Sequence, residues 1–254
     1  MRNLLDNEFY SGTSGIVVPV SQALYPAPFK GKSRLTYYAS FFNSIEINSS
    51  FYKLPKASTV IKWRESVPEG FQFTFKLSKT ISHAKGLDFD AEEIAAFIRT
   101  INNVGENKGC ILVQLPPSLK VERIKQLEKL FKTMHAANER QAWKVAVEFR
   151  NKGWYNDQTF ELLKQYNCSL VLQDLPASLT PLTVPLTSTI YLRFHGTERG
   201  YRGSYDERSL SEYAQRINQW MREGKCVYCY FNNTLGNAFN NLQALIRLVR
   251  LSAM

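Results

Sequence analysis

Short runs of apolar, β-branched and aromatic residues recur near residues 9–16, 44–48, 71–78, 110–115, 144–150, 169–174, 189–195 and 226–232. Within most of them the side chains alternate in character with a period of two, which predicts strands, because successive side chains of a strand point to opposite faces. Helical spacing takes over between them, at 91–104, 121–137, 156–166, 206–224 and 241–251. In the second of these segments Ile124, Leu127, Leu130, Phe131 and Met134 form one apolar stripe, the pattern of a helix laid on a core. Asn156 or Asp157 and Asp206 are the expected N-caps, and Gly224 the expected stop of the fourth helix. Eight strands separated by such helices predict right-handed crossovers and a closed (β/α)₈ TIM barrel. The connection at 175–188 carries three prolines and little helical periodicity, so the outer helix after strand six is expected to be short or missing. No linker or repeat divides the chain, and residues 1–254 read as one domain.

One face of these strands is unusual. Parallel strands covered on both sides are normally almost continuously apolar, yet here charges enter on alternate positions. The segment KVAVEFRNKGW, 144–154, sets Glu148 and Arg150 on the face opposite Val145, Val147 and Phe149. The same alternation groups Glu46 with Asn48, Lys76 with Gln72 and Thr74, Arg193 and His195 with Tyr191, and Tyr230 and Asn232 with Tyr228. Gln114 follows Leu112 and Asp174 follows Leu172 on what is read as the same inward face. A surface that packs on helices should be apolar, so the polar set is expected to point into the barrel. Its charged members come late in each strand, at the end where barrels of this kind build active sites. The competing reading is a buried ion-pair network that merely fills the barrel; the desolvation cost, several kcal/mol per ion, makes that a poor way to gain stability.

Composition narrows the picture only a little. A hydrophobic share of 44% with 21% charged residues is that of an ordinary folded protein. No apolar run is long enough to cross a bilayer and the first residues carry no apolar leader, which predicts a cytoplasmic protein without membrane attachment. A formal charge of +10 favours anionic partners without choosing among them. Cys226 and Cys229 match C-x-x-C, but residues three apart on a strand face opposite ways, so the four cysteines read as reduced thiols in or beside strands.

The cation density suits an anionic small molecule or nucleic acid. Arg193, His195, Gly196, Asn232 and Asn233 fall at the ends of strands seven and eight, a common phosphate site in this fold. Glu148 or Asp174 is the expected general base and His195 the general acid. Glu46 and Glu148 also suit the carboxylate pair of a glycoside hydrolase. The loop 195–208 interleaves Arg199, Tyr201, Arg202 and Tyr205 with three glycines, a composition that stacks bases and holds phosphates. No cofactor is predicted. A divalent metal held by the carboxylates, His195 and His83 is disfavoured by Lys76, Arg150 and Arg193 in the same volume. The segment SGTSG, 11–15, lacks the Lys-Ser/Thr of a phosphate loop and does not complete G-x-S-x-G, and the chain has neither H-E-x-x-H nor a dinucleotide fingerprint.

The order GTSG, YYASFFNSIEINSSFYKLP, FTFKLSKTISH, ILVQLPPSL, VAVEFRNKGW, YLRFHG and YFNN resembles the YecE-like family, domain of unknown function 72, over nearly the whole chain. The resemblance implies a barrel and a set of signature polar positions, which fall here on Glu46, Asn48, Lys76, His83, Gln114, Glu148, Arg150, Asp174, Arg193, His195, Asn232 and Asn233. It implies no settled activity. Members have been compared with barrel nucleases that use a zinc cluster, for which three histidines, one of them His135 on a helix, are too few. Ser82 stands before His83 where threonine is common, and the segment after Asp174 is short. Three readings follow: an enzyme acting on a phosphate-bearing substrate, a nucleotide or nucleic acid, by acid/base chemistry; a non-catalytic module for nucleic acid or another anion; and a sugar-directed hydrolase or isomerase.

Overall fold

The computed structural model describes residues 8–182 and 187–252. Its strands are β1 (Phe9–Thr13), β2 (Ser44–Ile47), β3 (Gln72–Lys76), β4 (Lys108–Leu115), β5 (Lys144–Phe149), β6 (Cys168–Gln173), β7 (Thr189–Phe194) and β8 (Cys226–Phe231). They form one parallel sheet in the order β1-β8-β7-β6-β5-β4-β3-β2, so the sheet curls through β8 back towards its start.

The seam between β1 and β2 is stitched largely by side chains. Asn43 accepts from Ser11 N at 2.8 Å and donates to Phe9 O at 2.8 Å. The Tyr38 hydroxyl accepts from Thr13 N at 2.7 Å and donates to Ser44 O at 3.0 Å. Above them Gly15 N donates to Glu46 O at 2.8 Å, beside a single Ser14–Glu46 bridge. Gly12 makes this approach possible: a Cβ there would lie 2.1 Å from Ser44 O.

Two cores result. Between strands and helices lie Phe73, Phe75, Phe97, Leu127, Leu130, Val147, Phe149 and Trp154, all buried. Inside the barrel Tyr10, Cys110, Leu112, Ala146, Val171, Tyr191, Tyr228 and Tyr230 form a second cluster. The helices expected from periodicity run over Ala91–Ile101, Ile124–Ala137, Asp157–Gln165, Glu207–Arg222 and Ala238–Ser252. Asn156 and Asp206 cap two of them, accepting from Thr159 N and Ser209 N. Two more, Arg34–Tyr38 and Ala57–Glu65, carry no apolar stripe long enough to announce them.

After β6 the described residues carry only a 3₁₀ turn, Pro176–Ser178; positions 183–186 of the connection expected to lack a helix lie outside the described residues. The inward face of β6 also differs from the sequence reading. Leu170 and Leu172 join the outer core and Val171 the inner one, so Asp174 does not share an inward face with Leu172 but reaches the barrel mouth from just past the strand end. All four cysteines are free thiols; Cys226 lies against the inner cluster and Cys229 within the outer core. No described helix is long and apolar enough to cross a membrane.

Candidate functional site

The polar residues of the inward face meet above the tyrosine layer in one connected network. Arg193 of β7 lies at its centre, with Nε 3.1 Å and Nη2 2.9 Å from the Glu46 carboxylate and Nη1 3.0 Å from Glu148 Oε2. Glu46 accepts two further bonds of 2.6 Å each, from Ser14 Oγ and the Tyr191 hydroxyl. Glu148 Oε1 accepts from Arg150 Nε. The pairing of β4 with β5 sets Gln114 beside Glu148, and the Gln114 amide oxygen accepts from both Lys76 Nζ, at 2.9 Å, and Arg150 Nη2, at 3.3 Å.

This arrangement fixes the charge states. Burial alone would raise the Glu148 pKa, but the positive charges of Arg193 and Arg150 outweigh it and hold the carboxyl down at about 2. Glu46 is lowered in the same way: Arg193 and the hydrogen bonds of Arg193, Ser14 and Tyr191 overcome its desolvation. Both carboxylates are ionised and fully occupied. Lys76 is pushed the other way, down to about 8, by burial and then by the charge of Arg193, against the pull of Glu46 and Glu148.

His195 has a defined tautomer. Its Nε2 lies 3.0 Å from Arg150 Nη2 and 3.2 Å from Arg193 Nη1, and guanidinium groups only donate, so Nε2 accepts. The proton therefore sits on Nδ1, 3.2 Å from Asp174 Oδ1. Burial leads in lowering its pKa below the usual 6.5, and the two arginines add to it, although Glu148 and Asp174 pull upward. Asp174 is equally committed: Oδ1 also accepts from His195 N at 2.8 Å, and Oδ2 accepts from the Tyr205 hydroxyl, which in turn accepts from Gly196 N at 2.7 Å.

The loop after β7 is tied down from the same side. Asn233 Nδ2 donates to Gly203 O at 3.1 Å and to Asn241 Oδ1 at 3.2 Å. Gly196 has φ +105°, and a Cβ there would lie 2.1 Å from Arg202 O, so the chain turns away from the mouth only because this residue is glycine.

The face open to solvent is narrower than the network. Lys76, Gln114, Arg150, Asp174, His83 and Asn48 are half-buried there, and Asn232 is buried at its edge. Lys76 Nζ lies 4.2 Å from the centroid of the Phe51 ring, and His83 packs edge-on against the same ring at 4.8 Å. His83 Nδ1 is 3.0 Å from Ser82 Oγ, and burial and then the Lys76 charge lower its pKa. The Asn48 side-chain oxygen is buried with no hydrogen-bond partner among the described residues. Tyr52, 71% exposed, stands beside Phe51, and Tyr201, 41% exposed, has its ring 6.0 Å from that of His195.

Several expected roles change with this geometry. Arg193 cannot grip a phosphate, because all its nitrogens are spent on the two glutamates in a closed interior. Glu46 and Glu148 do not flank a space for a sugar; the Arg193 guanidinium fills it. Glu148 is too acidic for a general base, Asp174 has both oxygens engaged, and His195 carries no proton on the nitrogen nearest the cations and is buried, which removes it as the acid. Tyr230 lies beneath the site, bonded to Ser44 Oγ at 2.6 Å and Thr74 Oγ1 at 2.7 Å. Asn233 and Tyr205 hold the loop and Asp174. Ser14 and Phe51 are the members the sequence reading missed as site residues. Both lie in segments already conspicuous there, GTSG and NSSFYKLP, but neither has a charge that alternation would flag. Among the described residues no three His, Cys, Asp or Glu side chains are grouped to hold a metal ion.

The model of the family described as "Protein of unknown function DUF72" matches residues 10–254. The chain belongs to the DUF72 family. The UPF0759 protein YunF of Bacillus subtilis is 25% identical over 260 residues, covering 89% of this chain and 90% of that one. The UPF0759 protein YecE of Escherichia coli K12 is 35% identical over 86 residues, 34% of this chain and 32% of its own. A DUF72 family protein from Thermotoga maritima, known as a crystal structure, superposes with a TM-score of 0.78 at 26% identity, covering 96% and 99% of the two chains. More distantly, a xylose isomerase domain containing protein from Salmonella typhimurium shares the barrel alone, with a TM-score of 0.53 at 12% identity over 100% and 99% of the chains.

Proposed function

We propose that this DUF72 barrel is an enzyme acting on a small anionic, phosphate-bearing substrate such as a nucleotide, by metal-independent acid/base chemistry at its mouth. One observation carries the reading: Lys76 and Arg150 converge on a single acceptor, Gln114 Oε1, from the solvent-facing side of the network. An oxyanion entering beside Gln114 meets two cations already held in place, and Arg150 Nη1 has no partner among the described residues with which to compete. Charge-assisted hydrogen bonds of this kind are the strong ones, and arginine presents them in a fixed fork.

The acid/base group follows from exclusion. Glu46, Glu148, Asp174 and His195 are occupied, whereas Lys76 is both accessible and tuned to about 8, near the pH at which proton transfer is most effective. Tyr52 and Tyr201 on the rim supply surfaces on which a base or another planar group can stack.

The test is titration of inorganic phosphate and of adenosine monophosphate, followed by amide chemical shifts and calorimetry, on the wild type and on Arg150→Met and Lys76→Met. Loss of one charged hydrogen bond is worth about 1.5–3 kcal/mol, so each variant should bind about tenfold to a hundredfold more weakly. Undiminished binding in both variants would remove this site from the reading. Binding without any turnover of a nucleotide panel would leave an anion-binding module in place of the enzyme.

A further inference from the structure

We infer that Lys76 is a covalent nucleophile, and that the substrate carries an aldehyde or ketone which its Nζ captures as a Schiff base. The inference deepens the proposed function and rests on it for the placing of the substrate's anionic group against Arg150.

The surroundings of Nζ are those of an amine kept ready to lose its proton. A guanidinium shares its hydrogen-bond acceptor, the face of Phe51 covers it at 4.2 Å, and among the described residues no carboxylate comes within salt-bridge distance. Lysines become nucleophiles where burial or a second cation disfavours the ammonium form; here the amine is largely buried and Arg193 and Arg150 supply the cations, against the attraction of the Phe51 ring face for the ammonium. Among the described residues its only hydrogen-bond partner is the neutral amide of Gln114, which accepts one N–H and leaves the nitrogen free to turn towards the mouth. The lowered pKa agrees with this environment. Every other lysine whose place in the barrel the register fixes is less suited: Lys108 and Lys144 open β4 and β5 at the opposite end of the strands.

The step balances without any oxidant or reductant. The lone pair of neutral Nζ attacks the carbonyl carbon, a C–N bond forms, and the C=O π pair moves to oxygen, which takes a proton. The carbinolamine then expels that oxygen as water, carrying away in net the two amine protons, and the nitrogen lone pair forms the C=N bond. Protonated on nitrogen, the imine withdraws electrons from the neighbouring carbon. The class of reaction this serves is the making or breaking of a bond next to a carbonyl.

The experiment uses the whole chain, with glycolaldehyde phosphate as the anionic probe and glycolaldehyde as its neutral counterpart. Each is incubated at pH 8 with sodium cyanoborohydride and the adducts are mapped by peptide mass spectrometry. An amine with a pKa of about 8 is about a hundredfold more deprotonated at that pH than a lysine of a model peptide, whose pKa is near 10.4. The expected result is reductive labelling of Lys76 at least about tenfold faster than of any other lysine, and faster with the phosphate than without it. The labelling rate should rise through about pH 8, which a merely structural lysine would not show. Labelling spread over surface lysines, or none at Lys76 while phosphate shifts the amides around Arg150, overturns the inference and leaves the proposed anion site standing. Equal labelling of Lys76 by both aldehydes keeps the nucleophile and overturns the anion site. Lys76→Arg, checked for an unchanged unfolding midpoint, should lose the label at this position.

Discussion

Arg193 and Glu46 form a two-pronged ion pair inside the barrel, 2.9 and 3.1 Å across β7 and β2, with neither side chain more than 1% exposed. A pair this deep gains little over an apolar filling, but removing one partner strands the other's charge. Arg193→Met leaves Glu46 and Glu148 facing each other without their shared cation. The expected loss is about 3–5 kcal/mol of unfolding free energy, read from urea denaturation. The double variant Glu46→Gln with Arg193→Met should recover part of that loss, because one of the two orphaned charges is gone.

Acid sensitivity follows from Glu148. Its folded pKa, about 2, lies below the ordinary 4.5, so between those values the unfolded chain binds more protons than the folded one. The stability that Glu148 contributes is therefore complete above about 4.5 and is lost as the pH falls towards 2. Glu46, lowered in the same sense, adds to the effect. Equilibrium unfolding measured from pH 6 to pH 2 should show stability falling steeply through this window, and Glu148→Gln should flatten the fall while lowering stability at pH 6.

The barrel was legible in the sequence because a period of two and a period of 3.6 alternate cleanly, and the late charges on Glu148, Arg150 and Arg193 located the mouth. Occupancy was not legible. Alternation says which side chains share a face but not which oxygen faces which nitrogen, so Arg193 read as a ligand cation although its donors are all consumed within the chain. Asp174 was misplaced for a related reason: a strand that ends one residue earlier frees the next residue from the alternation. Lys76 read as one binding cation among several, because the depression of its pKa depends on burial and then on the charge of Arg193, with a smaller part from Arg150, and these guanidinium groups arrive from other strands.

Tyr205 couples the loop after β7 to the network through Asp174 and Gly196 N. Tyr205→Phe keeps the ring that packs on Phe194 and Phe231 but leaves the Gly196 amide without its acceptor. An unsatisfied buried donor costs about 1–3 kcal/mol. Amide hydrogen exchange in 196–205 should accelerate correspondingly, about tenfold or more, with exchange in β4 and β5 unchanged. Exchange unaltered in the loop would show that Asn233 and Asn241 hold it alone.

Glycine at position 12 sets how closely β1 approaches β2. A methyl group there meets Ser44 O at 2.1 Å and the Tyr38 hydroxyl at 2.9 Å, both of them members of the seam, so Gly12→Ala cannot be accommodated without parting the two strands. Tyr38→Phe and Asn43→Ala open the same seam more gently, each deleting side-chain bonds to backbone groups of the neighbouring strand. Each of these two should cost about 1–3 kcal/mol, whereas Gly12→Ala should exceed either in thermal unfolding. Because Ser14 follows directly on this seam and donates to Glu46 at 2.6 Å, all three variants should also raise the pH at which the acid transition occurs.

His195 offers the most direct reading of the network's state. Two guanidinium donors on Nε2 and an Asp174 acceptor at Nδ1 define a neutral Nδ1–H imidazole. Its folded pKa lies below the usual 6.5, so the unfolded chain takes up this proton first and the stability from His195 is lost as the pH falls from 6.5 through the folded value. Nitrogen-15 spectra of the imidazole should show Nδ1 protonated and Nε2 unprotonated at pH 7, persisting below pH 6.5. In Arg150→Met, which removes one donor and one repelling charge together, the His195 transition should move upward. A His195 signal of the opposite tautomer at pH 7 would mean that the guanidinium groups do not converge on this ring, and the ordered mouth built on them would fail with it.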